Sequence, residues 1–267
     1  MDFKDYYAIP GEKPLDRIVT DGGFCSIFRT IGFVGDSLSS GEFESVDKDM
    51  NVGYHDYYEY SWGQYIARAA GLTAHNFSQG GMTAKGLCTY FNESRDCWNE
   101  AEKCQAYVIA LGVNDVINDG QPVGTTDDIN LSDYTKNADT FAGWYGQVIQ
   151  RYKKLQPKAR IFLVTMPRCS NDSERNAKLK KECTDLLYKI AELFEFTYVL
   201  DFNKYAPVFD DEFNRNFFLS GHMNPAGYCL FGKMVASYID YVIRNNPEDF
   251  MQVGFIGTPY YNIYTKY

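Results

Sequence analysis

Five short strand-like runs, separated from one another by polar or amphipathic stretches, constrain this chain more than any other feature. They cover residues 31–34, 73–77, 106–111, 160–165 and 197–202. Runs this short, bounded by turn residues, fit strands buried on both faces, and the longer stretches between them carry helical spacing. Strands alternating with helices imply a largely parallel sheet covered on both sides.

The fold class expected is therefore α/β: a three-layer α/β/α sandwich on a mainly parallel, flavodoxin-like sheet of about five strands. Helices are predicted over Trp62–Ala70, over residues 84–90 and 94–104, and over 134–155, 174–194 and 225–244. Ser61 and Gln64 form a capping-box pattern, Gly71 is a stop, Pro157 follows the third long segment, and Asn224-Pro225 is a helix start. Residues 24–28 suit a strand or hairpin, 42–60 a long aromatic and acidic loop, and 252–256 an edge strand in the tail. No repeat or linker divides the 267 residues, so residues 1–267 are expected to be one domain, with a core of about 30–244, an N-terminal extension and a C-terminal tail.

Composition removes several function classes. With 45% apolar residues the chain is globular. A net charge of −9 without a Lys/Arg-rich stripe argues against nucleic acid and anionic membranes as partners. The first residues, Met1-Asp2-Phe3-Lys4-Asp5, show neither the basic nor the apolar region of a signal peptide, and no run reaches the length of a membrane span. Seven irregularly spaced cysteines without a Cys-x-x-Cys pair read as reduced thiols of a cytoplasmic protein. No His/Asp cluster has metal-ligand spacing and no Gly-rich phosphate loop is present, so neither metal nor cofactor is expected.

In an open parallel sheet, function gathers at the carboxyl ends of the strands. Ser37, Gly81 and Asn114 each fall just past the end of a different predicted strand, and His222 lies in the loop before the last helix. A serine needs a neighbouring base to act as a nucleophile. The chain offers His55, His75 and His222. His75 falls inside a strand, where a packed or paired role is expected, and His55 falls in the aromatic loop. His222 is the candidate base.

These stretches resemble those of GDSL-type lipases/esterases of the SGNH hydrolase superfamily. Gly35-Asp36-Ser37-Leu38 matches the first block of that family, and Asn76 with Gly81-Met82-Thr83 the second. Gly112-Val113-Asn114-Asp115 matches the third, and His222 with Asn224-Pro225-Ala226-Gly227-Tyr228 the fourth. The blocks stand in the family's order across residues 31–228. The resemblance implies Ser37 as nucleophile, His222 as general base, and an oxyanion hole from the backbone N–H groups of Ser37 and Gly81 and the amide of Asn114. Asp36 and Asp115 would brace their loops. The substrate implied is a small O-acyl ester or an acylated carbohydrate.

One position departs from the family pattern. The carboxylate expected three residues before the histidine is replaced by Leu219. A backbone carbonyl of the 218–221 loop is then expected to hold the imidazole in a Ser37–His222 dyad, with Asp210, Asp211 and Glu212 as the nearest alternative carboxylates. The competing reading is a catalytically weak or inactive carbohydrate-binding protein that has kept the fold.

Overall fold

The computed structural model describes residues 2–264. Its central sheet has five strands in the order β4-β1-β5-β6-β7, all parallel: β1 Thr30–Gly35, β4 Thr73–Ser78, β5 Ala106–Ala110, β6 Arg160–Val164 and β7 Thr197–Leu200. Two small antiparallel pairs accompany it. One is the hairpin of β2 (Glu42–Val46) and β3 (Val52–Asp56); the other joins β8 (Phe218–Leu219) to β9 (His222–Met223). The helices are α1 Ser37–Ser40, α2 Trp62–Ala70, α3 Ala84–Gly86, α4 Asn92–Arg95, α5 Phe141–Leu155, α6 Glu174–Leu193, α7 Phe202–Tyr205, α8 Asp211–Phe217, α9 Pro225–Asn245 and α10 Pro247–Phe250.

The period of two along each strand divides the interior into two layers. Ile31, Phe33, Ala106, Val108, Phe162 and Val164 face one side, where they meet Trp62 and Ile66 of α2 and the apolar stripe of α9. Val34, Tyr107, Ile109, Ile161 and Leu163 face the other, against α3, α5 and α6. The three inner strands, β1, β5 and β6, are thus dry on both faces, which is why they read as continuous apolar runs, while the edge strands β4 and β7 are partly exposed. Each of the Val, Ile, Leu and Phe side chains so buried contributes roughly 1.5–3 kcal/mol. The three-layer α/β/α architecture read from the sequence is the one observed.

Local predictions differ in several places. Residues 23–27 form a 3₁₀ turn instead of a strand, because Gly23 has φ +51° and Asp21 accepts its N–H, while the Phe24 N–H goes to Asp240 at 2.9 Å. The tail segment 253–255 is also a 3₁₀ turn, since the carbonyls of Gly254 and Ile256 are taken by the Arg29 side chain at 2.9 Å each. The tail's last three residues lie outside the described residues. The helix expected from residue 134 starts at Phe141, where the Thr140 side chain caps it; a 3₁₀ turn capped by Asp133 precedes it. The two predicted segments over 84–104 are one irregular helical stretch from Ala84 to Arg95, stopped by Asp96 at φ +46°, followed by a 3₁₀ turn at Glu100–Glu102. The largest difference concerns residues 42–60, whose first part is the β2–β3 hairpin.

Among the described residues no helix is long and apolar enough to cross a membrane, and no group of three or more His, Cys, Asp or Glu is placed to hold a metal ion.

Candidate active site

The strand order reverses between β1 and β5. From β1 the chain moves out to β4, and from β5 it moves the opposite way to β6 and β7. A crevice opens at the carboxyl ends of such a pair. Ser37 lies directly after β1 and Asn114 directly after β5.

Gly35 makes the first turn possible: a Cβ there would lie 2.2 Å from the Ser39 hydroxyl and 2.8 Å from the Ala110 carbonyl. Asp36 then caps α1, its carboxylate accepting the Leu38 N–H at 3.1 Å, which leaves half-buried Ser37 as the first helical residue. Burial pushes the Asp36 carboxyl up to about 6 against the pull of the Leu38 N–H and of His222.

The loop after β4 is tied to the first turn by the Gln79 N–H, which donates to the Gly35 carbonyl at 3.2 Å. Gly81 in that loop has φ +73°, a conformation that glycine adopts without strain. Its N–H belongs to an exposed turn. Asn114 is the second residue of a single π-helical turn, Val113–Asn118. Its amide donates to the Met82 carbonyl at 3.1 Å and its oxygen accepts from Asn118 at 2.7 Å. One of its two N–H groups is thereby committed and the other remains available. Buried Asp115 accepts the Ala84 N–H at 2.7 Å, joining the third block to the second. Burial raises its carboxyl to about 7, the Ala84 N–H offsetting only part of that.

His222 arrives from the opposite end of the chain. The β8–β9 hairpin turns at Ser220, which has φ +59°, and β9 packs against α1 and β2. The structure thus brings Ser37, Gly81, Asn114 and His222 to one edge. The other two histidines are elsewhere: His75 pairs with Glu102 at 3.6 Å, and exposed His55 meets Ser45 across the hairpin at 2.8 Å.

The expected backbone acceptor for His222 is corrected here. The imidazole Nδ1 lies 2.7 Å from Oε1 of Glu44, a residue of β2. The same oxygen accepts the Gly221 N–H at 2.8 Å. Asp210 instead caps α8, accepting the Phe213 N–H at 2.8 Å, and Asp211 and Glu212 are exposed in that helix's first turn. Burial would raise the Glu44 carboxyl, but hydrogen bonds from His222, Ser220 and Gly221 outweigh it and hold the pKa below the ordinary glutamate value. Glu42, two residues earlier on the same face of β2, brings Oε1 within 3.1 Å of the other imidazole nitrogen, Nε2. Burial raises its carboxyl; His222 pulls it down, while Asp56 and Glu44 push it up. Tyr54 of β3 stands edge-on to the imidazole, with ring centroids 5.9 Å apart.

Neither glutamate was singled out in the sequence. The available signal was the alternation Glu42-Phe43-Glu44, with Phe43 turned inward against Tyr228 at 5.5 Å and both carboxylates on the opposite face. An imidazole held at one nitrogen by a carboxylate, beside a serine at a strand end and spare N–H donors, can move a proton to and from a hydroxyl.

The model of the GDSL-like Lipase/Acylhydrolase family matches residues 33–230. No curated protein matches the sequence. Among solved structures, one similar chain is a protein from Desulfitobacterium hafniense described as lipolytic and of the G-D-S-L family. It is 18% identical, with 79% of this chain and 99% of that one covered and a TM-score of 0.50. A family 2 carbohydrate esterase with a carbohydrate binding domain, from Corynascus thermopiles (Myceliophthora fergusii), is 17% identical, with 80% and 66% covered and a TM-score of 0.56. A family two carbohydrate esterase from Clostridium thermocellum, in complex with cellohexaose, is 17% identical, with 90% and 67% covered and a TM-score of 0.55. The chain spans about two thirds of the length of these two esterases. At such identities the likeness is one of fold.

Proposed function

Because the chain belongs to the GDSL-like lipase/acylhydrolase family, we propose that it is a serine esterase of small O-acyl esters whose base is oriented by Glu44. The observation that carries this reading is the 2.7 Å contact between Glu44 Oε1 and His222 Nδ1. It provides the carboxylate that Leu219 cannot, from 178 residues away in the chain. The motive for reading the chain as an inactive binding protein was that missing carboxylate.

Ser37 Oγ attacks the ester carbonyl as His222 Nε2 takes its proton. Glu44, on Nδ1, fixes the tautomer with the proton on that nitrogen and stabilises the imidazolium that forms. The negative charge moving onto the carbonyl oxygen is met by the N–H groups of Ser37 and Gly81 and by the free N–H of Asn114. Each such donor is worth about 3 kcal/mol in the transition state. The imidazolium then protonates the leaving alcohol. Water, deprotonated by the same nitrogen, releases the acid from Ser37. Asp36 and Asp115 hold the turns in place, through the Leu38 and Ala84 N–H groups. The carbohydrate part of the proposal, an acetyl group on a sugar hydroxyl, is supported by the fold shared with two carbohydrate esterases.

A panel of p-nitrophenyl esters of increasing acyl length tests the activity, with acetylated oligosaccharides as the second substrate set. Ser37→Ala should fold normally and lose about 10⁴-fold or more in kcat. Turnover in that variant at the level of the unaltered protein would overturn the mechanism.

A further inference from the structure

Glu42 has no part in the scheme above, yet it touches the base. Its Oε1 stands 3.1 Å from His222 Nε2, the nitrogen that must receive the proton of Ser37. Its other oxygen lies against the loop before Gly81: a Cβ placed on Gly80 would come within 2.1 Å of Oε2. The carboxyl group therefore fills the space between the imidazole and that loop, and its side chain is only 12% exposed. The strand beneath it is fixed, since the Tyr228 hydroxyl donates to the Glu42 backbone carbonyl at 2.7 Å.

The charges facing this carboxyl group come from every neighbouring element. They are Glu44 on β2, His55 and Asp56 on β3, Asp36 at the start of α1 and His222 on β9. The neighbouring carboxylates repel it, and the His222 imidazole, 3.1 Å away, attracts it. Nδ1 of that imidazole is already committed to Glu44. With Oε1 of Glu42 3.1 Å from Nε2, a carboxyl oxygen occupies the ground beside the nitrogen that must take the proton of Ser37.

We propose that Glu42 is a built-in competitor of the ester: it holds Nε2, fills the space between His222 and Gly80, and must swing aside before Ser37 can be deprotonated. The inference rests on the Ser37–His222 reading. Removal of this contact adds nothing to the chemistry; it removes an occupant. The effect therefore falls on access, in KM and in the rate of covalent capture, more than on kcat.

The test compares the unaltered protein with Glu42→Ala and Glu42→Gln, using a serine-directed fluorophosphonate and p-nitrophenyl acetate. Glu42→Ala should be labelled at Ser37 about tenfold faster and show a KM lower by a similar factor, the order that one close, largely buried charge contact contributes. Its kcat should stay within about threefold. Glu42→Gln keeps the shape of the side chain without its charge and should fall between the two, which covers the case in which the alanine variant folds poorly. Labelling that is unchanged or slower in both variants, in a parent protein that is itself labelled and active, would overturn the inference and leave the esterase reading intact. A parent protein that is neither labelled nor active would overturn both.

Discussion

Replacement of Glu44 separates two contributions that a carboxylate makes at once, charge and geometry. Two donors share one atom of its side chain, Oε1, which accepts from His222 Nδ1 at 2.7 Å and from the Gly221 N–H at 2.8 Å, while the Ser220 hydroxyl also donates to the carboxylate. In Glu44→Gln the amide can turn either way. The Gly221 N–H rejects an NH₂ group at that position, so the carbonyl oxygen faces both donors and the imidazole keeps its tautomer. Only the charge is lost. A hydrogen bond to a charged acceptor is worth about 1.5–3 kcal/mol and one to a neutral acceptor about 0.5–1.5 kcal/mol. The difference, about 1–1.5 kcal/mol, is felt when the imidazolium forms, so kcat on p-nitrophenyl acetate should fall about tenfold. Glu44→Ala removes the acceptor altogether and frees the ring. Its loss should approach the roughly 10⁴-fold seen when a triad carboxylate no longer fixes its histidine. A melting curve for each variant checks that the hairpin still folds. Two results would refute the reasoning: Glu44→Ala within threefold of the parent, or Glu44→Gln as damaged as Glu44→Ala.

Asn114→Ala should lower kcat by roughly 10²- to 10³-fold with little change in KM, because in the proposed scheme its amide acts on the developing oxyanion; steady-state kinetics that show a change in KM alone would assign Asn114 to substrate binding. Asp115 gives a stability prediction with a definite sign. Its carboxyl titrates near 3.8 when unperturbed and at about 7 in the folded protein, so between those values the native state holds a proton that the unfolded chain releases. Stability should therefore fall as pH rises from about 4 to about 7, by up to about 4 kcal/mol from this group, and level off above. Asp115→Asn, which keeps an oxygen for the Ala84 N–H, should flatten that slope when urea midpoints are compared at the two ends of the range; an unchanged slope would exclude Asp115 as its source.

The sheet was legible because its inner strands are dry on both faces, so that Ile31 to Val34 or Ile161 to Val164 needed no partner to be recognised. Two caps were legible for a similar local reason, Ser61 and Asn224, each accepting an N–H three residues on, whereas the Thr140 cap of α5 lies inside the segment expected to be helical from residue 134. The four motif residues were legible by position, each beside a strand end or a helix start. The β2–β3 hairpin was not. Its strands are half-exposed and charged, and its turn is built by the Asp47 side chain accepting the Asp49 and Asn51 N–H groups at 2.8 and 2.9 Å, with Met50 at φ +64°. Nothing in that stretch has the apolar signature of a strand. The partner of His222 was hidden for the same reason, since a contact spanning 178 residues depends on how the hairpin packs and not on any spacing.

The hairpin also sets how the protein would fail. Two strands alone are marginally stable in water. This pair is held to the body by the Tyr228 hydroxyl on the Glu42 carbonyl, by Phe43 against Tyr228 and Tyr60, by the Ser40 hydroxyl on Asp56, and by a part-exposed ion pair of Asp56 with Arg95. Such peripheral units open at a lower free energy than the sheet they border. Peeling of β2 would carry Glu44 off the imidazole while all five central strands stayed paired. Heat would then silence the enzyme below its melting temperature, and reversibly, because what comes apart is a clasp and not the core.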